Sequence, residues 1–192
     1  MKDFDLNDIR LELIDTKTAK RFLESYHYTS KIGNNSLRLG FFVDGFLMGV
    51  VVFGHVVRNE TALRLGLRSS EVRELSRLAI HPSYQIKNCA SKIIGMSIRY
   101  LKRNLVGIKM LVSFADSTFN HYGTVYKASN WVFDGLVKPS YWYTDGDGWV
   151  MHKKTLYDHA VKMKMSEGEF AQKNGYVKVH GMEKARYIFK LG

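Results

Sequence analysis

The stretch from Glu74 to Gly135 restricts the fold of this chain more than any other. An apolar strand, E-L-S-R-L-A-I-H-P at Glu74–Pro82, runs into a polar turn at Ser83–Ser91. A helix to about Arg103 follows, with Ala90, Ile93, Ile94, Ile98 and Leu101 as its apolar stripe and Lys92, Arg99, Lys102 and Arg103 on its other faces. A second apolar strand at Met110–Phe114 enters A-D-S-T at Ala115–Thr118. A short helix at Thr124–Ser129 and a strand at Trp131–Lys138 complete the stretch. Strands joined through a helix run parallel in one sheet. A helix that begins on a strand's turn offers its unpaired first amides to an anion.

The rest of the chain surrounds this unit. Alternating apolar residues predict a strand at Ile9–Ile14, and Asp15 or Thr16 can cap a helix over Thr18–Ser25. Tyr26–Asn35 reads as a polar loop. Leu37–Val43, Asp44-Gly45 and Phe46–Gly54 form the clearest hairpin signal. Arg58–Glu71 reads as a basic, weakly patterned connection. Toward the end, a strand is expected at Trp149–Lys153, helices at Leu156–Met165 and Glu169–Asn174, and a last strand at Tyr187–Leu191. This order predicts an α/β fold whose mixed sheet has an antiparallel N-terminal half and a parallel pair, flanked by helices. One domain over 1–192 is expected, with 155–192 an extension packed on it.

At 45% hydrophobic the chain can build a sizeable core, and no apolar run is long enough to span a bilayer, so no membrane partner is expected. The polar opening residues do not resemble a secretory leader, and Cys89 alone cannot form an internal disulfide. A cytoplasmic protein is the expectation. The 29 Lys and Arg against 18 Asp and Glu leave a net charge of +11. That is either a basic bystander or a surface for a polyanion such as double-stranded DNA. The cations gather at Arg58–Arg73, Lys87–Arg103, Lys153–Lys164 and Lys173–Lys190 rather than in a tail.

Several residues carry chemistry. Main-chain amides from Ile86 to Ala90, with Lys87 adding charge, suit a pyrophosphate; an ordinary strand-to-helix connection reads the same way. Asp116, past an apolar strand, and Tyr126, ten positions on, both belong at the carboxyl end of the parallel pair. Asp116 suits a base or an anchor for an amine, and equally a turn cap; Tyr126 suits an acid or oxyanion donor, and equally core packing. Arg77 sits inside a strand, in alternation with Leu75 and Ala79, so it is solvated or paired. In the loop at Ser25–Ser30, Tyr26 and Tyr28 suit stacking or gating and His27 a base. Tyr141 and Trp142, in the aromatic loop Pro139–Trp149, suit stacking on an extruded base, and D-G-D-G within it reads as turns. Lys102 and Arg103 suit phosphate contacts. Cys89, at a helix start, is either a stabilised thiolate or a small residue fitted beside a ligand. No metal-ligand motif, nucleophile elbow or phosphate-binding Walker loop is present, and no metal residue is assigned.

The turn Gln85-Ile86-Lys87-Asn88-Cys89-Ala90 resembles the Q/R-x-x-G-x-G/A loop with which GNAT acyltransferases bind acyl-coenzyme A, Asn88 standing for the middle glycine. Its K-N-x-A-S form at Lys87–Ser91 and the G-T-V-Y-K-A-S-N-W run at Gly123–Trp131 are similar to the phage Mom-type DNA-modification branch of that superfamily. The likeness extends from about Phe22 to Lys184–Leu191. It implies a GNAT-like fold and an acetyl-coenzyme A or related acyl-coenzyme A donor. The donor would lie along Leu78 and Ile80 and be held by Ile86, Lys87, Asn88, Cys89, Ala90 and Ser91. It also implies active-site roles for Arg77, Asp116, Tyr126 and, near the first helix, His27. The activity implied is modification of the exocyclic amine of adenine in phage DNA, protecting it from restriction. The rivals are an N-acetyltransferase of a protein or small amine, which an acidic cleft would favour, and an inactive DNA-binding module, which an occluded cofactor groove would favour.

Overall fold

The Asp44-Gly45 turn, with both residues at positive φ, closes a hairpin of two long strands, β2 (Leu37–Val43) and β3 (Phe46–His55). The computed structural model that shows this describes residues 4–27, 32, 36–56, 59–117, 120–139 and 141–192. Before the hairpin come β1 (Arg10–Leu13) and α1 (Thr16–Tyr26), whose cap Asp15 accepts from the Thr18 amide and hydroxyl at 2.8 Å each. The expected connection at Arg58–Glu71 instead contains a helix, α2 (Asn59–Arg64), and a 3₁₀ turn at Ser69–Glu71. Then follow β4 (Val72–Ile80), a 3₁₀ turn at Pro82–Tyr84, α3 (Cys89–Asn104), β5 (Met110–Asp116), α4 (Thr124–Lys127) and β6 (Val132–Val137). The chain continues through β7 (Tyr141–Thr144), β8 (Val150–His152), α5 (Lys153–Lys162), α6 (Glu167–Lys173), β9 (Val177–His180) and β10 (Lys184–Lys190).

Seven strands make one mixed sheet in the order β1-β2-β3-β4-β5-β10-β6; β8-β7-β9 form a second, antiparallel sheet. The first four strands are antiparallel and β4–β5 is the parallel pair. That pair is registered only from Val72↔Met110 to Glu74↔Val112, after which the two strands part.

By compactness the chain divides into two units. The first is residues 1–114, 123–135 and 186–192; the second is 115–122 and 136–185. The final strand β10 takes its place inside the seven-stranded sheet, and β7 begins at Tyr141. In the first unit, Val50, Val52 and Ala79 pack against Ala19, Phe22 and Leu23 of α1. In the second, Tyr143, Met151, Leu156, Ala160, Phe170 and Ala171 form their own core.

Register corrects one expectation about β4. Val52 faces Arg77 while Phe53 faces Leu75, so Ser76 is the extra residue of a β-bulge, and its hydroxyl donates to the Val52 carbonyl at 3.1 Å. The bulge reverses the alternation. Arg77 shares the α1-covered face with Val52 and Ala79, and Leu75 lies on the other, not beside Arg77 as simple alternation predicts.

Where β4 starts, Glu71 is buried and paired with Lys109 at 2.6 Å and with Arg68 at 3.4 Å. The Lys109 bond, with help from Arg68, holds its carboxyl down at about 2. A depressed carboxylate stabilises the fold above its unfolded pKa of about 4.3 and loses that contribution as pH falls toward 2. Urea midpoints measured from pH 7 to pH 2.5 are therefore expected to fall more steeply for the natural chain than for Glu71→Gln. Parallel curves would show that the pair carries no acid sensitivity.

Candidate functional site

The carboxyl end of β4 and the start of α3 enclose a pocket of about 270 Å³ lined by Leu78, Ile80, Gln85, Ile86, Cys89 and Ala90. Its formation follows from backbone alternation. The His81 amide donates to the Met48 carbonyl of β3 at 2.8 Å, so Ala79 and Arg77 also turn their backbone groups toward β3. Leu78 and Ile80 turn theirs the opposite way, toward the side from which β5 has departed. The Ile80 carbonyl is met by the Gln85 side chain at 2.9 Å. Among the described residues, the Leu78 N–H and C=O have no partner, because the ladder with β5 ends four residues earlier. An open edge of two amide-spaced groups beside an apolar pocket can pair with an amide-bearing chain.

The turn into α3 depends on Asn88, which sits at φ 64 and ψ 0 as the residue before the helix. This is the left-handed region where glycine is at ease and Asn is the best tolerated alternative. The residue that departs from the GNAT loop therefore adopts the conformation its glycine would supply. The Asn88 side chain does not cap the helix. The Cys89 amide turns back to Ile86 O and the Lys92 amide to Asn88 O. The Ala90 and Ser91 amides have no acceptor among the described residues, while the Ser91 hydroxyl donates to the Asn88 carbonyl at 3.0 Å. Lys87, Asn88 and Ser91 stand outside the pocket lining, Lys87 and Asn88 exposed beside those amides. Burial pushes the Cys89 thiol up to about 11, which of its two readings favours the small residue beside the pocket over the stabilised thiolate.

Where the parallel pair parts, buried Ser113 donates to the Leu75 carbonyl at 2.7 Å and meets the Tyr126 hydroxyl at 2.7 Å. Tyr126, on α4, is clamped by Trp131 and Tyr187, with ring centroids 5.4 and 5.2 Å away. Gly123, at φ +77, makes room for this: a Cβ there would lie 2.3 Å from the Tyr187 ring. Ser113, unlike Tyr126, is not among the residues the sequence singles out. Its signal was a lone hydroxyl inside the apolar run M-L-V-S-F, which burial obliges to find a partner.

Asp116 ends β5 and belongs to the second unit. It is buried and paired with Lys184 at 2.7 Å, and its carbonyl accepts the His121 amide at 3.2 Å. Lys184, another residue the sequence did not signal, sets its ammonium against this carboxylate.

The remaining expected residues are scattered. Arg77 lies on the α1-covered face, opposite the one bearing Leu78 and Ile80, and donates to the Ser76 carbonyl at 2.5 Å. Tyr26 is not a loop residue: it ends α1 and packs edge-on against His81 at 4.8 Å. His81 accepts the Ser83 amide at Nδ1 and also meets Phe46 and Tyr84. His27 is the residue after α1, its amide bonded to the Leu23 carbonyl at 2.9 Å. Tyr28 lies outside the described residues. Lys102 and Arg103 are exposed near the far end of α3, about 20 Å along the helix axis from Cys89.

Tyr141 and Trp142 are not in a loop either. They lie in β7, the central strand of the second sheet, and point to opposite faces. Tyr141 shares the core side with Tyr143 and carries the Lys178 ammonium 3.8 Å and the Lys153 ammonium 5.0 Å from its ring centroid. Trp142 faces the other side, opposite His152 and Val179. Burial and a 2.6 Å bond to Glu167 push the Tyr143 phenol well up. The positive charge is also uneven. The first unit holds 21 Lys and Arg against 11 Asp and Glu, the second 8 against 7.

A mixed sheet whose parallel pair splays beside a glycine-like turn and a helix start defines the acetyltransferase fold of the GNAT class. The structure is similar to an IAA acetyltransferase from Bacillus cereus, with a TM-score of 0.57 and 11% identity over 95% of this chain and 99% of that one. It is equally similar to a Bacillus subtilis acetyltransferase in complex with CoA, with a TM-score of 0.57 and 12% identity over 95% and 98%. The chain belongs to the Mom protein family, whose profile matches residues 8–192. It is 28% identical over 185 residues to the methylcarbamoylase Mom of Escherichia phage Mu, spanning 94% of this chain and 75% of that protein. Among the described residues no helix is long and apolar enough to cross a membrane.

Proposed function

We propose that this protein transfers an acyl-type group from a coenzyme A thioester to the exocyclic amine of adenine in double-stranded phage DNA, in the cytoplasm of the host. The observation that carries the reading is the open edge of β4 at Leu78 beside the pocket and the free amides of Ala90 and Ser91. Leu78 pairs with the amides of the donor's pantetheine arm. Ile80, Ile86, Cys89 and Ala90 form its apolar wall. Asn88 turns the chain so that the first amides of α3, with Lys87, face the pyrophosphate. The donor set consists of backbone amides, one cation and an apolar trough, which suits such a ligand.

An exocyclic purine amine is a poor nucleophile because its lone pair is delocalised, so it must be held and activated. Asp116, paired with Lys184, is assigned the hydrogen bond from that amine, and Tyr126 the proton that the departing sulfur takes. Arg77 and His27 are assigned to the active site on family resemblance. Trp142 is assigned to stacking on the extruded base, a role that Tyr26 and Tyr28 also suit; Tyr141, already covered by Lys178, serves less well. The excess of cations in the first unit, Lys102 and Arg103 among them, supports DNA as the partner. An open pocket and a glycine-like Asn88 weigh against the inactive-module reading.

Nucleosides from DNA co-expressed with the protein, analysed by mass spectrometry, should contain an adenosine derivative heavier than adenosine. Binding to duplex DNA should weaken steeply with salt, with a slope of about −0.9 in log affinity per log salt for each phosphate contact. Lys102→Glu with Arg103→Glu should lower that slope, and Trp142→Ala should cut modification more than affinity. Unmodified DNA, together with acylation of a peptide or small amine, would replace this reading with a generic N-acetyltransferase.

A further inference from the structure

Ser113 has a single proton and two oxygen neighbours, which fixes how the hydrogen bonds run. The Leu75 carbonyl can only accept, so Ser113 donates to it, at 2.7 Å. The 2.7 Å contact with Tyr126 is then a bond from the phenol O–H to the Ser113 oxygen. The chain of bonds runs Tyr126 to Ser113 to Leu75. It is anchored just past Glu74↔Val112, the last registered pair of β4 and β5. Ser113 is 1% exposed and Tyr126 9%, so solvent does not take the place of either partner.

We propose that Ser113 is the positioning residue for Tyr126, holding its hydroxyl at the fork of the parallel pair and stabilising it in both protonation states. The inference rests on the proposed role of Tyr126 as the proton donor. In transfer, the acyl carbon–sulfur bond breaks as the carbon–nitrogen bond forms. The amine gives its proton to the Asp116 carboxylate, and the leaving sulfur takes one from Tyr126. Left as a phenolate, Tyr126 becomes an acceptor. The Ser113 hydroxyl then turns from the Leu75 carbonyl to the phenolate oxygen, and turns back when Tyr126 regains a proton. A group that can serve only as donor or only as acceptor could not do both. Packing by Trp131 and Tyr187 fixes the ring, and Ser113 fixes the oxygen.

The test compares Ser113→Thr with Ser113→Val, which share a shape and differ in the hydroxyl. Both should bind coenzyme A as the natural chain does, measured by thermal shift. Ser113→Thr should keep kcat within a few-fold, while Ser113→Val should lose roughly tenfold or more in kcat with the donor KM unchanged. In the donor-free protein, the ¹³Cζ signal of Tyr126, assigned by its absence in Tyr126→Phe, should move in Ser113→Val and not in Ser113→Thr. Adding Ser113→Val to Tyr126→Phe should cost nothing further, because coupled residues are not additive. If neither threonine nor valine folds, Ser113→Ala with the same spectra and cycle takes their place. Additive losses, or an unmoved Tyr126 signal, overturn the proposal. Full activity in Tyr126→Phe overturns the catalytic role beneath it, and is told apart because the spectral difference between the threonine and valine variants persists.

Discussion

Asp116→Asn and Tyr126→Phe are each expected to leave the chain folded, to leave coenzyme A binding intact and to cut transfer by roughly a hundredfold or more, the scale of a lost acid or base. The two losses differ in their side effects. Tyr126→Phe removes one hydrogen bond to Ser113, which still has the Leu75 carbonyl, so a stability change of about 1 kcal/mol is expected. Asp116→Asn removes the charge that meets Lys184 at 2.7 Å in a buried place, and strands a partly buried ammonium. Its melting temperature should therefore fall more. Adding Lys184→Met to Asp116→Asn removes the stranded charge and should restore part of that stability without restoring transfer. Recovery of activity in the double variant would mean that Asp116 serves only its ion pair. Full activity in both single variants would place the chemistry elsewhere.

The elements that local chemistry dictates could be read from the sequence. Asp44-Gly45 demanded a hairpin, Asp15 a helix start, and the stripe from Ile93 to Leu101 a buried helix face. Leu78, Ile80, Ile86, Cys89 and Ala90, singled out by resemblance to the GNAT loop, line one pocket together with Gln85 because they fall within thirteen residues of a strand, a turn and a helix start. What escaped depends on partners distant in sequence. β7 was read as a loop because its aromatic run ends in Asp and Gly, and the strand that pairs with it, β9, lies 36 residues on. The bulge at Ser76 cannot be seen without β3 beside it, and it moves Arg77 to the face opposite Leu75. Ser113 and Lys184 gain meaning only through Tyr126 and Asp116, 13 and 68 residues away along the chain.

Asn88 gives the second large effect, because its backbone and its side chain can be tested separately. Asn88→Gly keeps the left-handed turn and should bind coenzyme A about as well as the natural chain. Asn88→Val places a β-branched residue at φ 64, at a cost of roughly 1–2 kcal/mol, and should weaken binding by distorting the turn. Asn88→Glu and Ser91→Glu bring a carboxylate to the amides proposed to receive the pyrophosphate. Both should lose detectable binding in calorimetry, and Ser91→Glu should do so while the far-ultraviolet spectrum and melting temperature stay near those of the natural chain. A carboxylate at a helix start is itself favourable to the helix. Ser91→Glu should therefore not weaken α3, and its lost heat of binding would report on the ligand alone, whereas Asn88→Glu also carries the strain of a longer side chain at φ 64. Normal binding in Ser91→Glu, or none in Asn88→Gly, would mean that the first turn of α3 does not receive phosphate. The splayed edge at Leu78 would then need another ligand to explain it.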